Sequence, residues 1–397
     1  MSETQRITFI HQHFRVPSEG GGSRGWEFAR RLAANGHEVS VICGGSPEMR
    51  WEEAGVRIIR LPVAYRNSMS NLQRARAFLK FMLAATWMAL RIPADTIFAT
   101  STPLTVAVPA MISSRIKRAR FVFEVRDLWP SVPARLGYLK SRTLLKIAQL
   151  VERLAYQRAT SVIALSPGMA EGILQTAPLS RVTVIPNACD FDIFDKPKSQ
   201  RDESRRRLGW TKPTVVYAGS FGDIYHVRWL GEIAVRNPEF TFHYMGDGRG
   251  VALVRTLLEE ANIIPEDILA GAVPKLEVAD RVAAADLCLS SVLDEPALHA
   301  ASINKVFDAM AAGRPIVFNH GGWLAELCVE HGAGWILPSE DYEKAGRMVA
   351  ELLKNPELLL AAGDRARELG RRFDRDRLFE QFQDVIGGSA QESGRHK

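Results

Sequence analysis

The sequence predicts an α/β protein made of two Rossmann-like, doubly wound halves. Three observations predict it: short β-branched runs alternate with longer stretches of helical apolar spacing, the rhythm starts afresh near residue 214, and 397 residues suit two domains of ordinary size. Hydrophobic residues at 46% and charged residues at 24% are the proportions of a globular chain. They exclude the disordered, collagen-like and polytopic membrane classes.

In the first half, strands are expected over Ile7–Ile10, Val39–Cys43, Val56–Val63, Thr96–Ala99, Phe121–Glu124, Ser161–Leu165 and Val182–Ile185. Helices are expected over Trp26–Asn35, Leu72–Arg91 and Leu144–Gln157. Pro186-Asn187 closes the last of these strands, and a loop with the charged stretch Lys196–Arg207 leads to Trp210. The first domain is therefore expected over 1–188 and the second over 189–370. Strands of the second series are expected at Thr214–Ala218, Phe240–Met245, Ile268–Ala270, Asp286–Ser290, Pro315–Phe318 and Trp335–Leu337. Phe373, Leu378, Phe379, Phe382 and Ile386 give Arg371–Ile386 helical spacing, and a Gly-Gly-Ser tail follows.

Cys43, Cys189, Cys288 and Cys328 lie far apart with no CxxC spacing, so neither a zinc site nor a disulfide framework is expected, and a reducing cytoplasm is the default compartment. The apolar run Ile7–Ile10 is too short for a signal-peptide core. The longest apolar stretch, Phe81–Leu90, falls well short of the about 20 residues a spanning helix needs.

Charge is uneven. Residues 1–186 carry 25 Lys and Arg against 12 Asp and Glu, whereas the remainder carries 26 against 33. An anionic partner is expected for the first half, either a phosphate-bearing substrate or an anionic membrane surface, where each basic group is worth on the order of 1 kcal/mol. Nucleic acid is not expected, because no binding motif with interleaved aromatics accompanies the basic residues. Between Leu72 and Arg91, Arg74, Arg76 and Lys80 alternate with Phe78, Leu79, Phe81, Met82 and Leu83. That pattern fits a helix lying at a membrane interface, or a buried helix with one snorkelling edge.

Several motifs carry chemistry. Gly20-Gly21-Gly22 stands between the first strand and a helix, where backbone N–H groups and the helix dipole can hold an anion, or where the chain merely turns tightly. Its spacing is not GxGxxG, which argues against a dinucleotide-binding dehydrogenase. Glu124-Val-Arg126-Asp127 ends a strand on the side where open α/β sheets bind ligands, although an ion-pair cluster would look the same. Tyr217-Ala-Gly219-Ser220 and Met245-Gly-Asp247-Gly248 repeat the strand-then-glycine pattern. Ser302-Ile-Asn304-Lys305-Val-Phe-Asp308 reads as the start of a helix with Ser302 as N-cap, exposing free N–H groups. Lys305 and Asp308 share one face: the lysine can meet a diphosphate and the carboxylate a ribose diol, or the two can simply pair.

Together with Ala164-Leu-Ser-Pro-Gly168, Val184-Ile-Pro-Asn187 and Ala311-Ala-Gly-Arg-Pro315, these segments resemble family 4 glycosyltransferases of GT-B architecture, over almost the whole chain. The resemblance is to the bacterial enzymes that build O-antigen and other polysaccharide units on a polyprenyl-diphosphate carrier. It implies two Rossmann-like domains facing across a cleft, with the helix 371–386 packing back on the first. It also implies sugar transfer with retention, from a UDP-N-acetylhexosamine or related donor to a lipid-linked or saccharide acceptor, at the cytoplasmic face of the inner membrane. No cofactor and no metal are expected. Carried over by position, Gly21, Gly22, Gly219, Ser220, Asp247, Ser302, Asn304 and Asp308 would bind the donor, and Arg126, Asp127 and Lys305 would be catalytic.

The sequence departs from the family pattern at Ala300, where a Glu is expected eight residues before Asp308. It departs again at Ser220 and Tyr225, where basic residues usually hold the diphosphate, and at Arg126, where His is common. Lys305 is therefore expected to replace the missing charges, since a departing diphosphate needs cationic stabilisation. A GT-B-type UDP-sugar 2-epimerase and a non-catalytic membrane-surface scaffold are the alternatives.

Overall fold

The structure, a computed structural model, describes residues 4–19, 24–65, 69–135, 137 and 141–388. The chain forms two compact units: residues up to Pro186 together with those from Leu378, and Asn187–Arg377.

The first unit holds strands β1 (Arg6–Ile10), β2 (Glu38–Gly45), β3 (Met49–Glu53), β4 (Val56–Pro62), β5 (Thr96–Thr100), β6 (Arg120–Val125), β7 (Ser161–Ala164) and β8 (Val182–Val184). Their order in the sheet is β3-β4-β2-β1-β5-β6-β7-β8, parallel except for β3. The chain winds one way from β1 and then resumes at β5 on the other side, so the order reverses between these two neighbours. That reversal is where an open α/β sheet leaves a crevice at its carboxyl ends.

Side chains alternate across the strands, and the aromatic contacts show which helix lies where. Phe98 faces Phe9 and Phe382, and Phe382 stacks on Phe28 at 4.1 Å. Helix Arg24–Ala34 and the terminal helix Arg375–Gly387 therefore cover that face. Phe123, of opposite pleat to Phe98, meets Tyr156 of helix Arg142–Arg158 on the other face. The terminal segment is a 3-10 turn, Arg371–Phe373, followed by the helix from Arg375, and not the single helix expected from 371.

The second unit holds β9 (Thr214–Ala218), β10 (Thr241–Met245), β11 (Leu269–Gly271), β12 (Leu287–Ser290), β13 (Ile316–Phe318) and β14 (Gly334–Ile336). The order is β11-β10-β9-β12-β13-β14, all parallel, with the reversal between β9 and β12. Trp229, Tyr217, Phe221 and Tyr244 lie in its core. Their polar atoms are satisfied there: Trp229 Nε1 donates to the Pro338 carbonyl at 3.0 Å and Tyr244 Oη to that of Leu230 at 2.9 Å. All four cysteines are buried and free.

Candidate functional site

In the second unit the candidate residues gather at the carboxyl ends of β9, β10, β12 and β13. The loops after β9 and β10 are laced together: Gly219 N–H donates to the Met245 carbonyl at 2.9 Å and Phe221 N–H to that of Asp247 at 3.0 Å. This approach requires glycine. Gly246 and Gly248 have φ of +141° and +151°, and a Cβ on Gly246 would stand 1.8 Å from the Gly219 carbonyl oxygen. Asp247 is exposed, and its carboxylate accepts the Gly248 N–H at 2.6 Å.

Lys305, in the first turn of helix Asn304–Ala311, reaches this loop. Its Nζ donates to Tyr217 Oη at 2.8 Å and stands 4.0 and 4.5 Å from the ring centres of Tyr217 and Tyr225. Tyr217 Oη donates onward to the Ser220 carbonyl at 2.7 Å. A Cβ at Gly219 would lie 2.7 Å from Nζ, so the ammonium occupies the space that a side chain there would fill. Among the described residues no carboxylate pairs with Lys305. Although it keeps some exposure, crowding by protein lowers its pKa to about 7. Burial chiefly, and to a smaller extent the Lys305 charge, lower the pKa of His320, beyond the end of β13, against the hydrogen bond to the Gly321 carbonyl.

Two residues of this helix depart from expectation. Ser302 is not the N-cap. Ile303 holds that position, with no side-chain cap, and the Ser302 hydroxyl accepts the Asn187 N–H at 3.1 Å while Asn187 Nδ2 donates to the Ser302 carbonyl at 2.7 Å. Ser302 thus anchors the start of the second unit. Asn304, the first residue of the helix, is exposed.

Asp308 makes no pair with Lys305. The charges that bear on it are Lys275, Asp190 and Arg375, and Asp190 already pairs with Lys275 at 2.6 Å and with Arg375. Burial raises the Asp308 carboxyl to about 7. The folded state therefore keeps a proton that the unfolded chain releases above about pH 4, and stability falls as pH rises from there to about 7. Asp308→Asn is expected to leave the melting temperature near that of the wild type at pH 4 and to raise it at pH 8, by on the order of 1 kcal/mol in stability. Equal shifts at both pH values in a thermal melt would show that folding does not hold this carboxyl neutral.

In the first unit the residues cluster at the ends of adjacent strands β1, β5 and β6. Ser101 Oγ accepts the Arg126 N–H at 2.9 Å. Burial first, and then the Arg126 charge, hold His11 well below its usual value and bring His13 to about 4, so both rings are neutral near pH 7. The exposed His13 ring lies 4.5 Å from that of Tyr65, which stacks on Phe78 at 5.6 Å. Asp127 reaches solvent but stands amid dense protein that raises its carboxyl to about 6, against the pull of Arg126.

Glu124 separates from its two charged neighbours. It is buried, accepting Arg24 Nε and Thr100 Oγ1 at 2.7 Å each, while Arg24 also donates to the carbonyls of Ile185 and Pro186. It ties β6 and β5 to the chain after β8, and removing one partner would strand a buried charge at a cost of about 3–5 kcal/mol. Gly21 and Gly22 lie outside the described residues.

The sequence motifs assign no role to Tyr217, His11, His13 or His320. Tyr217 reads as an ordinary apolar strand position, and only its neighbour Gly219 hinted at a special site. The two-residue spacing of His11 and His13 after a strand was a usable signal.

Residues 19–188 match the family model described as a glycosyl transferase 4-like domain, and residues 212–355 match glycosyl transferases group 1. The 2-deoxystreptamine glucosyltransferase of Streptomyces kanamyceticus is 24% identical over 220 residues, 53% of this chain and 56% of that protein. The chain spans about half the length of the curated relatives it matches. Sucrose-phosphate synthase from Thermosynechococcus elongatus shares the fold with a TM-score of 0.76 at 17% identity, over 96% of this chain and 98% of that one. Anabaena HepE, solved with UDP-glucose, gives 0.69 at 18% identity over 97% and 100%. No helix among the described residues is long and apolar enough to cross a membrane. With both sheets wound in this way, the chain has the GT-B fold, its residues 19–188 matching a glycosyl transferase 4-like domain and its residues 212–355 a glycosyl transferases group 1 domain.

Proposed function

We propose that the protein transfers a glycosyl group, with retention, from a nucleoside-diphosphate sugar to a lipid-linked or saccharide acceptor at the cytoplasmic face of the inner membrane. The donor would be a UDP-N-acetylhexosamine or a related sugar. The observation that carries this reading is Lys305, a cation with no carboxylate partner among the described residues, set against the backbone of the glycine loop at the sheet's reversal point. A diphosphate is the anion such a place suits. That HepE was solved with UDP-glucose supports the choice of donor class.

In the reaction, the bond between the anomeric carbon and the β-phosphate oxygen breaks, and UDP leaves with the electron pair. The acceptor hydroxyl attacks from the same face and passes its proton to the departing phosphate. Lys305, as ammonium, stabilises the charge that develops on that phosphate, so the reading needs no metal. Asp247 would hold the nucleotide and Asp308 the ribose, with Asn304 beside them at the helix start. Arg126 and Asp127 would orient the acceptor.

The test is UDP release by the purified protein across a panel of UDP-sugars, with and without a polyprenyl-diphosphate-linked sugar. Release that requires one donor and the lipid acceptor is the expected result. Release that ignores the acceptor and yields a glycal would instead mark a 2-epimerase, and tight UDP binding without turnover of any donor would mark a scaffold.

A further inference from the structure

The three helices Asn71–Arg91, Ala107–Lys117 and Arg142–Arg158 lie side by side over one face of the first unit's sheet. The first has two apolar stripes. Ala77, Phe81, Ala85 and Met88 face inward and are buried, while Leu72, Leu79, Leu83, Trp87 and Leu90 recur at helical spacing on the outside. A helix whose outer side met only water would be polar there. Its neighbours repeat the pattern with Ile112 and Ile116 on one, and Leu144, Ile147 and Leu150 on the other. Exposures of 62% for Leu83, 64% for Ile116 and 57% for Leu150 show that the apolar surface runs across all three.

Their charge is one-sided. The three helices carry ten Lys and Arg, and their single acid, Glu152, is buried and accepts a hydrogen bond from Tyr156 Oη at 3.1 Å. Arg91 lies 3.1 Å over the Trp87 ring, an aromatic and a cation together at an exposed helix end. An apolar surface set among cations fits a lipid layer with anionic headgroups, which takes up both the side chains and the charge. A second copy of the chain would set cation against cation, and nucleic acid would leave the aliphatic side chains in water.

We propose that this three-helix face is the membrane-docking surface, seated on anionic lipid with the apolar side chains in the headgroup and acyl boundary. It deepens the membrane-surface part of the function proposed above and is independent of the donor assignment. It also extends beyond the one stretch, 72–91, that the sequence singled out.

The test is flotation of the full chain with vesicles of phosphatidylcholine alone and of phosphatidylcholine mixed with phosphatidylglycerol. Wild type is expected to partition at least about 10-fold more strongly onto the anionic vesicles. A variant carrying Leu83→Asp, Ile116→Asp and Leu150→Asp is expected to lose about 10-fold or more of that binding, with its thermal transition and UDP affinity unchanged. Equal binding to both vesicle types, or a triple variant that floats like wild type, would overturn the proposal. So would a concentration-dependent dimer in sedimentation equilibrium that the triple substitution abolishes, because the face would then belong to a second copy. UDP titration of wild type in the absence of vesicles tests the donor reading separately, so the two can fail independently.

Discussion

Lys305→Met is expected to lower kcat by roughly 10²–10³-fold, the usual effect of removing one group that stabilises a developing oxyanion. Methionine keeps most of the stem that packs between Tyr217 and Tyr225 while removing the ammonium. The loss should fall on kcat far more than Asp308→Asn raises the donor KM, because the phosphate charge grows as the sugar leaves whereas a ribose contact is made throughout. Stability should move in the opposite direction. Folding lowers the Lys305 pKa to about 7, so below that pH the folded protein bears the full burden of a crowded ammonium. That burden fades as pH rises towards the unfolded value near 10.4. The variant should therefore melt a few degrees higher at pH 7, an advantage that shrinks by pH 10. The pH profile gives a further check. In wild type, kcat/KM for the donor should fall about tenfold per unit above pH 7 as the free enzyme's lysine deprotonates. The limb in kcat should lie higher, since a bound diphosphate favours the ammonium. A variant with small, equal changes in kcat and KM, and with the alkaline limb still present, would remove Lys305 from the chemistry.

Particular residues show why part of this arrangement was legible in the sequence and part was not. Buried parallel strands announce themselves as β-branched runs, and the thirteen expected runs all contain or overlap observed strands. The strand that escaped, β3, is an edge strand with two glutamates and no clean alternation, paired antiparallel with β4 across the Ala54-Gly55 turn. The helix Lys198–Leu208 escaped as well, since a nearly all-polar stretch has little apolar periodicity. Within the site, Lys305 could be found by its position after a capping-type residue, but Ser302 itself misled. Capping is a local rule, and here its hydroxyl was claimed by Asn187, 115 residues earlier. Glu124, Arg126 and Asp127 illustrate the same limit. Three charges in four residues look like one cluster, yet Glu124 is buried as the partner of Arg24, and only the two beyond the strand end reach solvent.

Asp127→Asn is expected to reduce transfer by about 100-fold, at the low end of what a positioned acid or base contributes, while leaving UDP affinity unchanged. The raised carboxyl, at about 6, sets the sign. Asp127 accepts a hydrogen bond from an acceptor hydroxyl only when ionised, so wild-type kcat/KM for the acceptor should fall about tenfold per unit below pH 6. The asparagine variant should lose that acid limb and show a low, flat rate. Because crowding favours the neutral carboxyl, the variant should also be no less stable than wild type above pH 6, which separates a positioning role from a structural one. Taken with Lys305, the two groups require opposite protonation states: a carboxylate with a pKa near 6 and an ammonium with a pKa near 7. The product of the two fractions gives a narrow bell in the free enzyme, centred between them. Each substitution should erase one side of it, Asp127→Asn the acid side and Lys305→Met the alkaline side. An Asp127→Asn enzyme with full transfer activity and an intact acid limb would assign that limb to another group and leave Asp127 without a part in acceptor binding.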